Sequence, residues 1–299
     1  MKKLLMIVNP MAGTRKAARY LAEIADVFCR GGYETVIATT TERGDGTNIA
    51  RDRSHDADVV VAIGGDGTFN EVVAGVIESG SGKPIGYIPA GTTNDFGASI
   101  GLSGDLVRAA KDIVTGGTKT IDIGSFNGRY FSYVASFGAF TSTSYQVSQS
   151  LKNILGHTAY ILEGARDVLN IKSENVRIKN EVGVYGGKYI FGAVCNSTSM
   201  GGILSLSEDV VDMNDGQFEV LLIRTPSNII ELNQVIFAIT SQNYSLSSLI
   251  SFFSSAELEV TASEKMPWTL DGEYQQGASD IIIRNHKSAI NLIVPEHKL

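Results

Sequence analysis

Strand-like and helix-like segments alternate along the first 122 residues, and this alternation restricts the possible folds more than any other feature of the chain. Short apolar runs at 4–8, 59–63 and 85–88 are typical of buried strands. Residues 15–30 place apolar side chains at the spacing of one helix face. Strands separated by helices favour a parallel sheet, because a parallel pair needs a long crossover connection. We therefore predict a Rossmann-like α/β domain in this part of the chain.

The remainder of the chain is rich in short β-like segments separated by turn signals. The predicted strands are 130–137, 176–178, 188–194, 218–223, 258–261, 280–284 and 290–294. Asn127-Gly128, Gly186-Gly187 and Asp215-Gly216 are the turn signals, and the pattern as a whole predicts an antiparallel sandwich or barrel. Two stretches, 144–170 and 227–253, have helical spacing instead.

The length of 299 residues exceeds what a single core usually holds, so two domains are expected. The predicted fold class is α/β plus β, with a Rossmann-like domain over 1–122 followed by a β-sandwich domain over 123–299. The boundary is expected between Gly116 and Asp122, and the last residues of the chain are free to pack back on the first domain.

Charge and composition exclude several classes of protein. A net charge of −7 argues against nucleic acid as a partner, because that affinity depends on many lysines and arginines on one face. The two cysteines, Cys29 and Cys195, have no metal-binding spacing, and the histidines are scattered singly. No apolar run approaches the about 18 residues that cross a bilayer. We expect a cytoplasmic protein and leave peripheral contact with the inner membrane face open.

A glycine-rich loop follows the apolar run 59–63 and reads Gly64-Gly65-Asp66-Gly67-Thr68. A strand that ends in glycines and leads into a helix presents bare backbone N–H groups at a helix N terminus, which favours a phosphate. Asp66 beside a phosphate needs a compensating cation, most simply Mg²⁺. The alternative is a plain strand-to-helix turn with aspartate as turn former.

Two other predicted strands end in loops of the same kind. Residues 9–13 read N-P-M-A-G, and residues 89–96 read P-A-G-T-T-N-D-F. Ligands of open α/β sheets bind outside the carboxyl ends of the strands. The three loops are therefore predicted to converge on one crevice.

Five motifs, in order along the chain, resemble the bacterial soluble lipid kinases that have a diacylglycerol kinase catalytic domain. They are N-P-x-A-G at 9–13, G-G-D-G-T-x-N-E at 64–71, P-x-G-T-x-N-D-F at 89–96, N-D-G at 214–216 and D-G-E at 271–273. The glycine-aspartate loop alone is shared with NAD kinases, sphingosine kinases and phosphofructokinases. The resemblance implies a two-domain enzyme with its active site in the interdomain cleft.

The same resemblance implies a set of residues that contact ATP. They are Asn9, Pro10, Met11, Ala12, Gly13, Thr40, Gly65, Asp66, Gly67, Thr68, Phe69, Asn70, Glu71 and Thr92. Thr40 is placed by its distance from Gly44-Asp45.

The resemblance further implies metal-binding and catalytic residues. Asp66 and Asp95 would hold the catalytic Mg²⁺, and Asp271 would join that network. Glu273 would be the general base, and two positions along an extended strand would put it on the same side as Asp271. A second, structural Mg²⁺ would bind Asp215 and the carbonyls of Asp212 and Gln217. An ordinary Asp-Gly hairpin turn is the alternative explanation for D-G-E at 271–273 and also for N-D-G at 214–216.

The leading functional hypothesis is an ATP- and Mg²⁺-dependent lipid kinase that phosphorylates a hydroxyl of diacylglycerol or a related glycerolipid. The alternatives are an NAD kinase and a catalytically silent lipid or nucleotide sensor. The particular lipid and the formation of a homodimer are left open.

Contact with a lipid surface is a further hypothesis. Leu246, Leu249, Ile250, Phe252 and Phe253 could form the apolar edge of an interfacial helix. Packing of the same side chains into the domain core is the competing interpretation.

Overall fold

The computed structural model describes residues 1–138, 172–197, 199–200, 204–205 and 212–298. The chain divides into two compact units. Unit 1 comprises Met1–Ile123 and Lys287–Leu299, and unit 2 comprises Gly124–His286. The helix predicted at 144–170 lies outside the described residues.

The strands and helices of the described residues are numbered here in chain order. The strands are β1 (Lys2–Val8), β2 (Tyr33–Thr39), β3 (Val59–Gly64), β4 (Ile85–Pro89), β5 (Gly117–Phe126), β6 (Arg129–Phe131), β7 (Val134–Gly138), β8 (Glu174–Lys179), β9 (Val184–Cys195), β10 (Ser199–Met200), β11 (Leu204–Ser205), β12 (Phe218–Arg224), β13 (Ile250–Ser255), β14 (Glu257–Thr261), β15 (Trp268–Leu270), β16 (Glu273–Gln275) and β17 (Asp280–Val294). The helices are α1 (Ala12–Arg30), α2 (Asp45–Arg53), α3 (Asp66–Ser79), α4 (Asp95–Ser99), α5 (Leu106–Thr115) and α6 (Ile229–Thr240).

Unit 1 contains the predicted parallel sheet, in the order β4, β3, β1, β2. The end of β17 adds to it in parallel beside β4, through Leu292 and Ile85. All six residues of β3 are buried, which is why this run is apolar at every position rather than at alternate ones. The prediction of an α/β fold with a parallel sheet is therefore confirmed.

The strand register of this sheet brings three carboxyl ends to one edge. Val8 at the end of β1 pairs with Ile63 of β3, and Gly64 at the end of β3 pairs with Pro89 at the end of β4. The loops that follow these strands therefore leave the sheet side by side, as the open α/β architecture requires.

Unit 2 is antiparallel. Its strands follow the order β16, β15, β7, β9, β8, β14, β17, with β12 paired to β9 and β13 paired to β12. Trp268 lies in its core, with its ring 5.1 Å from Phe126 and 4.9 Å from Phe137 between ring centroids. The predicted β-rich texture of this part of the chain is confirmed.

Several local predictions differ from the structure. The stretch 227–253 is α-helical only over α6 and has a 3₁₀ helix at Tyr244–Leu246, whereas 250–255 forms β13, because Phe252 and Phe253 pair with Leu221 and Val220 of β12. The interfacial helix proposed for this edge is therefore wrong. A short apolar run does not distinguish helix from strand, and here tertiary pairing decides.

Turn positions in unit 2 also differ from the sequence prediction. Gly186-Gly187 lies inside β9 rather than in a turn. The turn lies earlier, where the Asn180 side chain accepts hydrogen bonds from the backbone N–H groups of Val182 and Gly183. The predicted strands at 280–284 and 290–294 are one continuous strand, β17. Among the helices in the described ranges, none has the length and apolar character needed to cross a membrane.

Candidate functional site

The loops after β3 and β4 touch each other through glycine backbone. A Cβ added to Gly91 would lie 2.6 Å from the Cα of Gly65, closer than real Cβ atoms approach. The backbone N–H of Ala90 also donates to the carbonyl oxygen of Gly64 at 2.7 Å. Glycine is required here because two main chains pack directly against each other.

The loop after β1 joins the other two. Gly13 has φ of 53°, and a Cβ at this position would overlap the carbonyl oxygen of Ala90. Asn9 donates from Nδ2 to Oγ1 of Thr68 at 3.4 Å and accepts from the backbone N–H of Met11 at 3.0 Å. The convergence of the three loops that the motifs predict is therefore present within unit 1.

The N terminus of α3 directly follows the first of these loops. The helix begins at Asp66, and Gly65 precedes it in an extended conformation with no side-chain cap. The first-turn N–H groups of an α-helix have no acceptor within the helix, and the helix dipole adds a partial positive charge. This terminus has the features of an anion-binding site, and the lack of a Cβ at Gly65 leaves its backbone accessible.

Asp66 links the glycine loop to the loop after β4. Its Oδ1 accepts a hydrogen bond from the Tyr87 hydroxyl at 3.1 Å, and its Oδ2 accepts from the backbone N–H of Asp95 at 2.9 Å. Asp95 is the first residue of α4, and both aspartates are half-buried. These bonds orient the Asp66 carboxylate, whose oxygens each carry more than one lone pair.

Two of the residues predicted to contact ATP have side chains that build the scaffold. Phe69 is fully buried, with its ring stacked 4.6 Å from that of Tyr87 and 4.8 Å from that of Phe96. Glu71 accepts hydrogen bonds from the backbone N–H groups of Gly44 at 2.8 Å and Gly46 at 3.0 Å. The Glu71 side chain therefore fixes the start of α2. The Phe69 ring packs in the core against Tyr87 and Phe96 and does not face a ligand.

The other predicted nucleotide contacts differ in exposure. Pro10, Gly67 and Asn70 are half-buried, Ala12 packs at the edge of the apolar core, and Met11 and Thr92 are exposed. The backbone N–H of Thr40 donates to the carbonyl oxygen of Val8 at 2.9 Å. Thr40 therefore leaves the sheet at the edge where the three loops lie.

Asp45 organises the loop that follows Thr40. Its Oδ2 accepts from the backbone N–H groups of Thr41 at 2.7 Å and Glu42 at 3.0 Å, and from the Thr41 hydroxyl at 2.8 Å. The bond from the Thr41 backbone is the largest of the effects that lower the pKa of Asp45, because it favours the charged form.

Asp271 lies in a turn of unit 2 rather than on an extended strand. Asp271 and Gly272 have φ of 50° and 80° and form the two-residue connection between β15 and β16. The expectation that Asp271 and Glu273 share one side of a strand is therefore wrong. Left-handed backbone at both positions explains why the turn reads Asp-Gly.

The Asp271 carboxylate is engaged by a neighbouring segment. It is 6% exposed and accepts from the backbone N–H groups of Ser132 at 2.6 Å, Tyr133 at 3.0 Å and Val134 at 2.9 Å. Bonds to an ionised acceptor are stronger than neutral ones. Asp271 therefore fixes the hairpin that carries Glu273 to the start of β7.

Glu273 is the first residue of β16, and its side chain is 45% exposed. Its Oε2 accepts from Nη2 of Arg129 at 2.7 Å. Arg129 also donates from Nη1 to Oε1 of Gln275 at 2.7 Å. Sequence motifs did not point to Arg129, since it lies 144 positions from Glu273 and belongs to no short pattern.

The segment 212–217 folds as a turn stabilised by its own aspartates. Asp212 accepts from the backbone N–H of Asn214 at 3.0 Å, and Asp215 accepts from that of Gln217 at 2.7 Å. The Gln217 carbonyl oxygen accepts from Nδ2 of Asn285 at 3.0 Å. Within the described residues, no three His, Cys, Asp or Glu side chains are grouped so that they could hold a metal ion. A cation in this turn would need backbone carbonyls as ligands, which Mg²⁺ accepts.

A buried carboxylate that the motifs did not reveal follows this turn. Glu219 on β12 is 2% exposed, and its Oε2 has no hydrogen-bond partner. Burial raises the pKa of Glu219 to about 7, and the negative charges of Asp215 and Asp212 add to the effect. Because a buried orphan oxygen beside two aspartates is stabilised by a positive charge, the turn is chemically suited to a cation.

Burial also raises the pKa of a thiol opposite Glu219. Cys195 of β9 pairs with Glu219 in the strand register and is fully buried. Desolvation raises the pKa of the Cys195 thiol well above its usual value, with a smaller contribution from the Glu219 charge. A thiol of this kind stays protonated and behaves as a small apolar side chain.

The α/β unit thus presents glycine-rich loops at a helix N terminus, and the β-rich unit carries Glu273 hydrogen-bonded to Arg129. Residues 3–126 match the model of the diacylglycerol kinase catalytic domain. The chain is 32% identical over 300 residues to a diacylglycerol kinase of Bacillus subtilis (strain 168), covering 100% of this chain and 98% of the relative. It is 31% identical over 288 residues to a diacylglycerol kinase of Staphylococcus carnosus (strain TM300), covering 95% and 94%. The chain therefore belongs to the diacylglycerol kinase family.

Solved structures show the same fold. The crystal structure of a diacylglycerol kinase from Bacillus anthracis str. Sterne aligns with a TM-score of 0.73 at 20% identity, covering 100% of this chain and 98% of that one. A second structure from the same organism aligns with a TM-score of 0.79 at 24% identity and covers 100% and 97%. At this level of identity the likeness concerns the fold alone.

Proposed function

We propose that this kinase transfers the γ-phosphoryl group of ATP, with Mg²⁺, to a hydroxyl of diacylglycerol or a related glycerolipid. The observation that supports it most is the contact of the Gly65 and Gly91 backbones beside the uncapped N terminus of α3. This arrangement offers main-chain donors and partial positive charge to a polyphosphate. The names of the relatives support a lipid as the acceptor.

In this proposal the loops of unit 1 bind the nucleotide. The N–H groups of Gly67 and Thr68, together with the loops at 9–13 and 89–96, hold the phosphates. Phosphoryl transfer depends mainly on positioning and on charge neutralisation, which such loops supply. The domain extents 1–122 and 123–299 and the cleft site stay predictions.

Asp66 and Asp95 are the proposed ligands of the catalytic Mg²⁺. Their oxygen donors suit a hard cation, and Asp66 is already oriented by Tyr87 and by the Asp95 backbone. Mg²⁺ at this position would neutralise charge on the transferred phosphoryl group. A structural Mg²⁺ is proposed at Asp215 with the carbonyls of Asp212 and Gln217, and the orphan oxygen of Glu219 supports a cation there.

Glu273 is the proposed general base. It accepts the proton of the lipid hydroxyl, the hydroxyl oxygen forms a bond to the γ-phosphorus, and the bond from that phosphorus to the bridging oxygen breaks to release ADP. The exposure of Glu273 supports this role, because a base must reach a substrate proton. Asp271 contributes by holding the hairpin, through its bonds to the segment before β7.

The test is a phosphorylation assay with purified protein, γ-labelled ATP, Mg²⁺ and mixed micelles that contain diacylglycerol, phosphatidylglycerol or a long-chain base. We expect label in a glycerolipid. The variant Glu273→Gln should lose turnover and keep its affinity for ATP. Absence of transfer to every lipid tested would overturn the proposal.

Assays on the same purified protein distinguish the lipid kinase from the two alternative functions. An NAD kinase would convert NAD to NADP in place of labelling lipid, and membership of the diacylglycerol kinase family argues against it. A silent sensor would bind ATP without any turnover in the parent protein. Lipid phosphorylation by the parent, abolished by Glu273→Gln, excludes both.

A further inference from the structure

Arg129 engages β16 through three acceptors. Its Nη2 donates to Oε2 of Glu273 at 2.7 Å, and its Nη1 donates to Oε1 of Gln275 at 2.7 Å and to the backbone oxygen of Tyr274 at 3.4 Å. Glu273 and Gln275 are two positions apart on one strand, so their side chains lie on the same face. The planar guanidinium spans both of them at once, which a lysine ammonium does not do with the same geometry.

The backbone that carries Arg129 is itself fixed. The preceding turn is held to β17 by Asn127, whose backbone N–H donates to the Ile282 carbonyl oxygen at 2.9 Å. The Asn127 side chain accepts from the Ile282 N–H at 2.8 Å and donates to the Asp280 carbonyl oxygen at 3.3 Å. The guanidinium therefore starts from an anchored strand end and restricts the orientation of the Glu273 carboxylate.

The exposure of the Arg129–Glu273 ion pair argues against a mainly stabilising role. The Arg129 and Glu273 side chains are 35% and 45% exposed, and ion pairs in such positions contribute little to folding stability. The three hydrogen bonds of Arg129 to β16 instead hold the guanidinium in place, and this reduces the number of orientations that Glu273 adopts. For a group that must meet a substrate proton, this restriction increases the fraction of reactive encounters.

We propose that Arg129 is a positioning residue that aims the Glu273 carboxylate at the lipid hydroxyl. The inference rests on the proposed function, because it assigns Arg129 to the group proposed as the base. Arg129 touches no reacting atom in this scheme, and its action is exerted through Glu273.

The experiment compares Arg129→Ala and Arg129→Lys with the parent in the lipid phosphorylation assay. We expect kcat of Arg129→Ala to fall about 10- to 100-fold with little change in the KM for ATP. Arg129→Lys should recover only part of kcat. Because Arg129 is partly exposed, added guanidinium at low millimolar concentration should restore part of kcat to Arg129→Ala and none to Glu273→Gln.

Arg284→Ala is the matched control. Arg284 forms an ion pair with Glu257 at 2.7 Å, and the two side chains are 53% and 46% exposed. The substitution Arg284→Ala therefore removes the same charge from a similar ion pair in unit 2. Its kcat should match the parent, with or without guanidinium. Thermal melting checks that all variants fold, and Arg129→Gln replaces Arg129→Ala if that variant does not fold.

The possible outcomes separate the two proposals. An active parent with an inactive Glu273→Gln and a fully active Arg129→Ala would overturn the positioning role alone. Equal losses in Arg129→Ala and Arg284→Ala would also overturn it, since a general charge effect would then explain both. A parent without lipid phosphorylation would overturn this inference together with the proposed function.

Discussion

Replacing Asp271 by alanine is expected to lower the free energy of unfolding of unit 2 by about 4 kcal/mol. The carboxylate accepts from the buried N–H groups of Ser132, Tyr133 and Val134. Each donor left without an acceptor costs about 1–3 kcal/mol, and alanine in left-handed backbone adds about 1 kcal/mol. The contributions do not add fully, because one segment relaxes around all three donors.

Asp271→Asn should cost about half as much, since asparagine keeps an acceptor oxygen and tolerates positive φ. Denaturant unfolding followed by circular dichroism measures the differences. Asn228→Ala is the control in the same unit, because Asn228 caps α6 through two exposed N–H bonds, and we expect a loss of about 1 kcal/mol. A loss below about 1 kcal/mol for Asp271→Ala would refute the assignment of Asp271 as the anchor of the hairpin.

Three further predictions concern the glycine contact, the buried glutamate and the scaffold glutamate. Gly91→Ala should weaken ATP binding at least about tenfold in calorimetry, because its Cβ would press on Gly65. Gly104→Ala, whose Cβ would meet no atom within 4 Å, should bind ATP normally. Equal ATP affinities of the two variants would count against nucleotide binding at the loops after β3 and β4. The folded pKa of Glu219, about 7, lies above its ordinary value of 4.5, so in metal-free buffer stability should fall by up to about 3 kcal/mol as pH rises through this window. In melting curves recorded across this pH range, Glu219→Gln should reduce the loss of stability with rising pH. An unchanged dependence of stability on pH would be evidence against a buried charge on Glu219. Glu71→Ala should increase hydrogen exchange at the Gly44 and Gly46 amides that it holds, and unchanged exchange would contradict its scaffold role.

Much of unit 1 was predictable because its signals are local. The run 59–63 is apolar at every position and forms the fully buried β3, and the glycines after it mark the start of α3. In unit 2, the Asp-Gly hairpin given as the alternative for D-G-E at 271–273 is the turn that the structure has. These features depend on residues next to one another, so periodicity and turn chemistry reveal them.

Other elements were missed because their environment decides them. The apolar stretch 250–255 has a composition that suits a helix or a strand, and it becomes β13 only because β12 offers an open edge. Phe69 lies within a nucleotide-binding motif, yet its ring packs between Tyr87 and Phe96. Neither outcome follows from spacing, because burial and strand pairing depend on distant segments.

The sequence by itself determined the parallel α/β unit, the loops at its strand ends and the partial positive charge at the start of α3, since each follows from periodicity, glycine positions and helix-terminal charge. Only the tertiary structure decided that Glu71 holds α2, that Asp271 holds the segment before β7 and that Arg129 holds Glu273. These pairs are separated by 27, 139 and 144 positions. Hydrogen bonds depend on distances in space, and over such separations the fold sets those distances.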